Sequence, residues 1–132
     1  MKRLDVRTSE HAQLINIDNL VQKVIHESGV KEGLCHVFVP HTTAGITINE
    51  NADPDVVRDI ISTLDRMVPW NNNYRHSEGN SAAHVKASMM GFSVMVPIQN
   101  GQLAFGTWQS IYFCEFDGPR SRQVQVQVIA AQ

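Results

Sequence analysis

The sequence predicts an α+β fold in which a mixed, largely antiparallel sheet carries about three packed helices. Three features point there. Apolar residues recur at three- and four-residue steps in two stretches, Asn19 to Ser28 and Val56 to Met67. Runs rich in β-branched residues, ending in the Gln-Val alternation of Gln123 to Val128, read as strands. Strands and helices interleave without the regular βαβ order of a parallel sheet. At 132 residues the chain is expected to form one domain, 1–132, because two cores would leave too few residues for either.

Leu4 to Glu10 and Gln13 to Ile17 read as two short strands, with Asp18 as the N-cap of a helix over Asn19 to Ser28. Leu20, Val21, Val24 and Ile25 share one face of that helix, and Gly29 ends it. Gly33 to Val39 is an apolar strand stopped by Pro40, and Thr43 to Ile48 is a second β-branched run. His41 lies between them. Asp53 before Pro54 starts the next helix, since aspartate caps free backbone N–H groups and proline suits the first turn. Val56, Val57, Ile60, Ile61, Leu64 and Met67 form its apolar stripe. Pro69 to Gly79 is a polar connection, after which Asn80 or Ser81 caps a short helix ending at Gly91. Ser93 to Ile98 is a strand, Asn100-Gly101 a hairpin turn, and Leu103 to Phe116 resumes the strand signal. Gly118-Pro119 breaks it, and the last strand puts Val124, Val126 and Val128 on one face.

Eleven basic and 13 acidic residues give a net charge of −2, which implies no general attraction to nucleic acid or anionic lipid. No long apolar run suggests a membrane span, and the opening MKRLDVRTSE lacks the apolar core of a signal peptide. A cytoplasmic protein is expected. Cys35 and Cys114 are far apart and outside any Cys-x-x-Cys pattern, so both are expected to be buried thiols. The large nucleotide-binding and serine-hydrolase classes are disfavoured, since no Walker loop, Gly-x-Gly-x-x-Gly or Gly-x-Ser-x-Gly occurs.

Six histidines are the stronger clue, because imidazole is both a metal ligand and an acid/base near neutral pH. His41-Thr42-Thr43 sits at a strand break, where a scaffold presents side chains to a pocket; a polar turn is the plainer alternative. Asn49 and Glu50 exceed what capping by Asp53 needs. His84 falls in a first helical turn, where the dipole favours a neutral, metal-competent ring. With His76 and His41 it would make an open three-imidazole site. His36 reads as a core residue, and His11 and His26 as surface positions. Arg120 suits a phosphate or carboxylate clamp, or an ion pair with Asp117 or Glu115 that holds the turn. Lys86, one helical step from His84, is a further candidate for an anion contact, with an ordinary exposed lysine as the alternative.

Three segments, VFVPHTTAGITINENADPDV, NYRHSEGNSAAHVKASMMG and VPIQNGQLAFGTWQSIYFCEFDGPR, make the chain resemble the YjbQ family, also called the secondary thiamine-phosphate synthase family. The resemblance spans nearly the whole chain. It implies an α+β subunit assembled as a homotrimer, with polar motif residues near subunit boundaries. It also implies a divalent metal, zinc above others, on His41, His76 and His84. Catalytic roles would fall to His41, Glu50, His84 and Arg120, with Glu50 as general base or support for a ligand. Contacts to a small, phosphorylated substrate would fall to Thr42, Thr43, Asn49, Lys86, Trp108, Gln109, Glu115 and Asp117. The implied reaction joins a pyrimidine diphosphate to a thiazole phosphate, releasing pyrophosphate. Two other functions remain open at this point: metal-dependent hydrolysis of a phosphate or carboxylate substrate, and binding of metal or ligand without turnover.

Overall fold

Eight strands and three helices form in the computed structural model, which describes Met1 to Gln132. Five strands make one sheet in the order β1 (Lys2–Arg7), β8 (Ser121–Ala130), β3 (Gly33–Phe38), β5 (Ser93–Gln99) and β6 (Gln102–Leu103). A three-stranded sheet places β7 (Gln109–Glu115) between β2 (Gln13–Asn16) and β4 (Ala44–Glu50). The strands thus divide into two sheets, and every ladder is antiparallel.

Alternation decides the layers. Cys35 and Val37 of β3, Val96 and Ile98 of β5, and Val124 and Val126 of β8 pack against Ile46, Ile111 and Phe113 of the small sheet and against helix α1 (Asp18–Ser28). The other face of the small sheet presents Leu14, Tyr112, Cys114 and Phe116 to helices α2 (Pro54–Met67) and α3 (Ser81–Met90). Strand β7 is therefore covered on both faces, and six consecutive residues from Ser110 to Glu115 are buried. Such a strand reads as a continuous run rather than an alternation. Burial pushes the Cys35 thiol up to about 11 and the Cys114 thiol up to about 12, which leaves both unreactive.

Several local expectations hold. Asp53 caps α2, accepting from the Asp55 N–H at 2.9 Å, with Pro54 in the first turn. Gly29 ends α1 in the left-handed region, and Asn100 and Gly101 both take positive φ in the tight turn between β5 and β6. Others need correction. Asp18 is the first residue of α1 rather than its cap; its carboxylate accepts from Ser110 Oγ at 2.6 Å and the Ile111 N–H at 2.8 Å, pinning the helix to β7. Leu20 is exposed, so the buried face of α1 is Val21, Val24 and Ile25. On α2 only Leu64 is fully buried, and Met67 is 63% exposed. The run from Leu103 to Phe116 is two strands, because the chain turns at Ala104 to Trp108.

Candidate functional site

The register of β4 and β7 splits the predicted site residues between two ends of the small sheet. Ala44 pairs with Glu115 at one end and Glu50 with Gln109 at the other. Six residue steps of about 3.3 Å put those ends roughly 20 Å apart. Asn49, Glu50, Trp108 and Gln109 lie at the far end. His41, Thr42, Thr43, Glu115, Asp117 and Arg120 lie at the near end. The loop before α3 joins them, through an Asn80 Nδ2 hydrogen bond of 2.9 Å to Asp117 Oδ2.

At the near end Asp117 is the hub. Its carboxylate also accepts from Arg120 Nη2 at 3.1 Å, while Arg120 Nε donates to the Asp117 carbonyl at 2.8 Å. Arg120 thus makes the turn-holding ion pair, with half of its side chain still in solvent. His11 Nε2 stands 3.9 Å from Asp117 Oδ1, and its ring meets Trp70 edge-on with centroids 4.5 Å apart. His76 and His84 come together, their centroids 5.5 Å apart and their planes near perpendicular. Centroids at that distance with perpendicular planes make an edge-to-face ring pair. Beside them, Asn80 Oδ1 is the only buried side-chain polar atom with no hydrogen-bond partner. An acceptor left bare in that setting calls for a donor from water or a ligand.

His41 does not join that pair. Its Nε2 accepts the Gln123 N–H at 2.9 Å, and no three His, Cys, Asp or Glu side chains converge as a metal group in the chain. Burial, reinforced by the Arg122 charge, lowers the pKa of the ring, so it is neutral near pH 7. Two expected substrate contacts are also corrected. Glu115 is fully buried and paired with the buried Arg122, and Thr43 is buried with its Oγ1 accepting from Arg122 Nη2 at 2.9 Å. Both are committed inside the fold. Lys86 is likewise buried and forms an ion pair with Asp65 of α2, because it lies two residues from His84 and so on a different side of α3. It ties helix to helix rather than meeting an anion. Thr42 remains exposed, beside a cleft of about 340 Å³ lined by Phe38, Val39, Pro40, His41 and Phe92.

The far end is more open. Trp108 is 60% exposed, Gln109 Oε1 accepts the Gly106 N–H at 2.8 Å, and Asn49 Oδ1 accepts the Glu50 N–H at 2.7 Å. The Glu50 carbonyl accepts from Tyr112 Oη at 3.1 Å, and the Glu50 carboxylate makes no hydrogen bond or ion pair with a protein group.

Residues 2–131 match the family model described as UPF0047 protein YjbQ-like. The chain is 47% identical to the UPF0047 protein YugU of Bacillus subtilis over 98% of both chains. It is 48% identical to a UPF0047 protein of Methanocaldococcus jannaschii, over 96% of this chain and 92% of that one. A crystal structure of a YjbQ/UPF0047 family protein from Clostridium acetobutylicum superposes with a TM-score of 0.96 at 57% identity, covering 98% of this chain and 100% of that one. The chain belongs to the YjbQ-like UPF0047 family. For this YjbQ-like chain, no helix is long and apolar enough to cross a membrane.

Sequence reasoning about this YjbQ-like chain missed Arg122, Thr8 and His11. For Arg122 the signal was present: it stands in phase with Val124 and Val126 on β8, and a charge on a buried face requires a partner. Thr8, which donates to Glu115 Oε1 at 2.8 Å, carries no signal of its own. His11 was discounted because an exposed position says nothing about which carboxylate the fold brings near.

Proposed function

We propose that the chain is a transferase of the thiamine-phosphate synthase type, acting as a homotrimer whose sites form between subunits. The observation that carries this reading is the separation of Glu50, Trp108 and Gln109 from Glu115, and so from Asp117 with its Asn80 contact, by the length of a strand. One subunit cannot unite them, whereas the far end of one copy set against the near end of the next can. The exposed Leu34, Phe38, Met95 and Ile129 on the outer face of the larger sheet supply apolar surface for such assembly.

In this reading His76 and His84 hold a divalent ion, zinc being suited to imidazole, with the remaining ligands from solvent or a neighbouring copy. Bound there, it supplies positive charge near a diphosphate. Arg120, half exposed at the turn, receives a departing diphosphate as the thiazole nitrogen forms its bond to the pyrimidine methylene carbon and the carbon–oxygen bond to diphosphate breaks. Glu50, arriving from the neighbouring copy, orients a ligand group, since the bond-forming step itself releases no proton.

The test is subunit complementation. Glu50→Gln and His84→Ala chains are each expected to be inactive with the pyrimidine diphosphate and thiazole phosphate. Refolded together in equal amounts they regain about one quarter of parental activity, since random mixing gives roughly that fraction of boundaries with both intact ends. No recovery from folded, trimeric mixtures refutes the shared site. A parent without turnover refutes the reaction, and chelator-sensitive hydrolysis of another phosphate ester would then favour the hydrolase reading.

A further inference from the structure

The hydrogen bond at His41 is set by the way two strands end. The last pair between β3 and β8 is Phe38 with Gln125. Gln123 stands two residues nearer the start of β8, beyond the end of β3 at Phe38. Its N–H instead meets His41 Nε2 at 2.9 Å. A backbone N–H can only donate, so Nε2 is the acceptor nitrogen and the proton of the neutral ring resides on Nδ1. A ring fixed this way is a hydrogen-bond donor through Nδ1 and is poorly suited to bind a metal through either nitrogen.

Both sides of that contact are fastened by one buried ion pair. Arg122, the neighbour of Gln123, donates through Nε to Glu115 Oε1 at 2.8 Å and through Nη2 to Glu115 Oε2. The same Nη2 reaches the carbonyl and Oγ1 of Thr43, two residues after His41. Glu115 is held in turn by Thr8 Oγ1 and by the Asp117 N–H at 3.0 Å. The pair therefore locks the start of β8 against the loop that carries the imidazole.

We propose that His41 is a fixed Nδ1–H donor to an anionic oxygen of the ligand, and that Glu115 and Arg122 are the positioning pair that keeps it so. The anion follows from the surroundings: Arg120 is half exposed and near enough to act on the charge of the ring, the buried Arg122 is offset by its partner Glu115, and Thr42 is exposed beside the ring. Phe38, Pro40 and Phe92 give the adjoining cleft apolar walls for the group that bears the oxygen. The donor role rests on the phosphorylated ligand proposed above, whereas the tautomer stands on the backbone contact alone.

Two-bond proton–nitrogen NMR spectra of the full chain, labelled at histidine and recorded near pH 8, read the tautomer directly. His41 is expected to show a protonated Nδ1 and a bare Nε2, and the opposite assignment overturns the inference. Inorganic phosphate then serves as the probe. His41→Asn, whose amide nitrogen takes the place of Nδ1, is expected to keep phosphate affinity within about threefold, while His41→Gln and His41→Ala lose about tenfold or more. Equal loss in the Asn and Gln variants overturns the donor role. A correct tautomer in a parent that binds no phosphate refutes the phosphorylated-ligand reading and the donor role with it. Arg122→Lys and, where that chain fails to fold, Thr43→Val are expected to mix the two tautomers at His41. An unchanged tautomer in a folded variant would leave the pair purely structural.

Discussion

Removing Arg122 tests the innermost polar feature of the fold. Glu115 has no solvent exposure, and Arg122 supplies its only cation through two hydrogen bonds. In Arg122→Ala the carboxylate keeps only Thr8 Oγ1 and the Asp117 N–H as donors, so a charge stays buried without a counter-ion. Breaking such a pair from one side costs about 3–5 kcal/mol. At about 2.1 cal/mol/K per residue a chain of this length has an unfolding entropy near 0.28 kcal/mol/K, so Tm should fall by roughly 11–18 °C. Thermal melts by circular dichroism, with urea titrations at constant m, measure this. The double variant Glu115→Leu/Arg122→Met should be less destabilised than Arg122→Ala, because no charge is stranded. The acid side gives a second reading. Burial alone raises the Glu115 pKa, but hydrogen bonds from Arg122, Asp117 and Thr8 and the Arg122 charge outweigh it, so the folded value lies below the ordinary 4.5. A depressed carboxylate stabilises above its unfolded value, and that contribution disappears as pH falls through the folded one. The parent should therefore lose more stability below pH 4.5 than the double variant does. A drop in Tm of under about 3 °C for Arg122→Ala would refute the reasoning.

Gly118→Ala should cost about 1–3 kcal/mol, since overpacking of that size follows when rigid atoms stand in the way. A Cβ there would strike the Glu10 carbonyl oxygen and come within 2.9 Å of both Glu115 Cγ and Thr8 Oγ1; a melt within 1 °C or so of the parent would contradict this. Where the proposed trimer assembles through the outer face of the larger sheet, Phe38→Asp should reduce its mass to that of one chain in light scattering, and a parent with the mass of one chain would refute the trimer. A trimer that survives would move the assembly surface elsewhere. Elemental analysis of purified protein should find divalent metal in the parent and about a tenth or less of it in His84→Ala, because one remaining imidazole of the pair gives too few ligands; equal content in both would exclude this pair as the metal site.

What the sequence made legible follows the reach of each signal. Helix caps and turns are local, and Asp53, Gly29 and Asn100-Gly101 perform the roles their chemistry suggests. Periodicity tells which residues share a face but not how deeply the face is covered, which is why the stripe on α2 was readable while its half-buried state was not. The division into two sheets was not legible, because Ile111 to Cys114 is apolar on both faces and an uninterrupted run carries no alternation to assign.

The site shows the same limit more sharply. Motif resemblance gathers residues by type and order, and it carries no distance. It grouped Glu50 with Glu115 as acidic site residues, although β4 sets Glu50 at the open end of the sheet and the β7 pairing buries Glu115 at the other. Burial then decides their chemistry. A carboxylate with no exposed surface, one guanidinium bridging both oxygens and two further donors has no lone pair to offer a substrate, so Glu115 can only fix geometry. Glu50, whose carboxylate has no protein partner and is only partly buried, keeps its lone pairs for a ligand. Arg120 and Arg122 divide in the same way: the exposed one remains available to an anion, and the buried one holds the loop on which His41 stands. The fold thus spends one acid and one base on rigidity so that a second acid, a second base and three imidazoles can be presented from fixed positions.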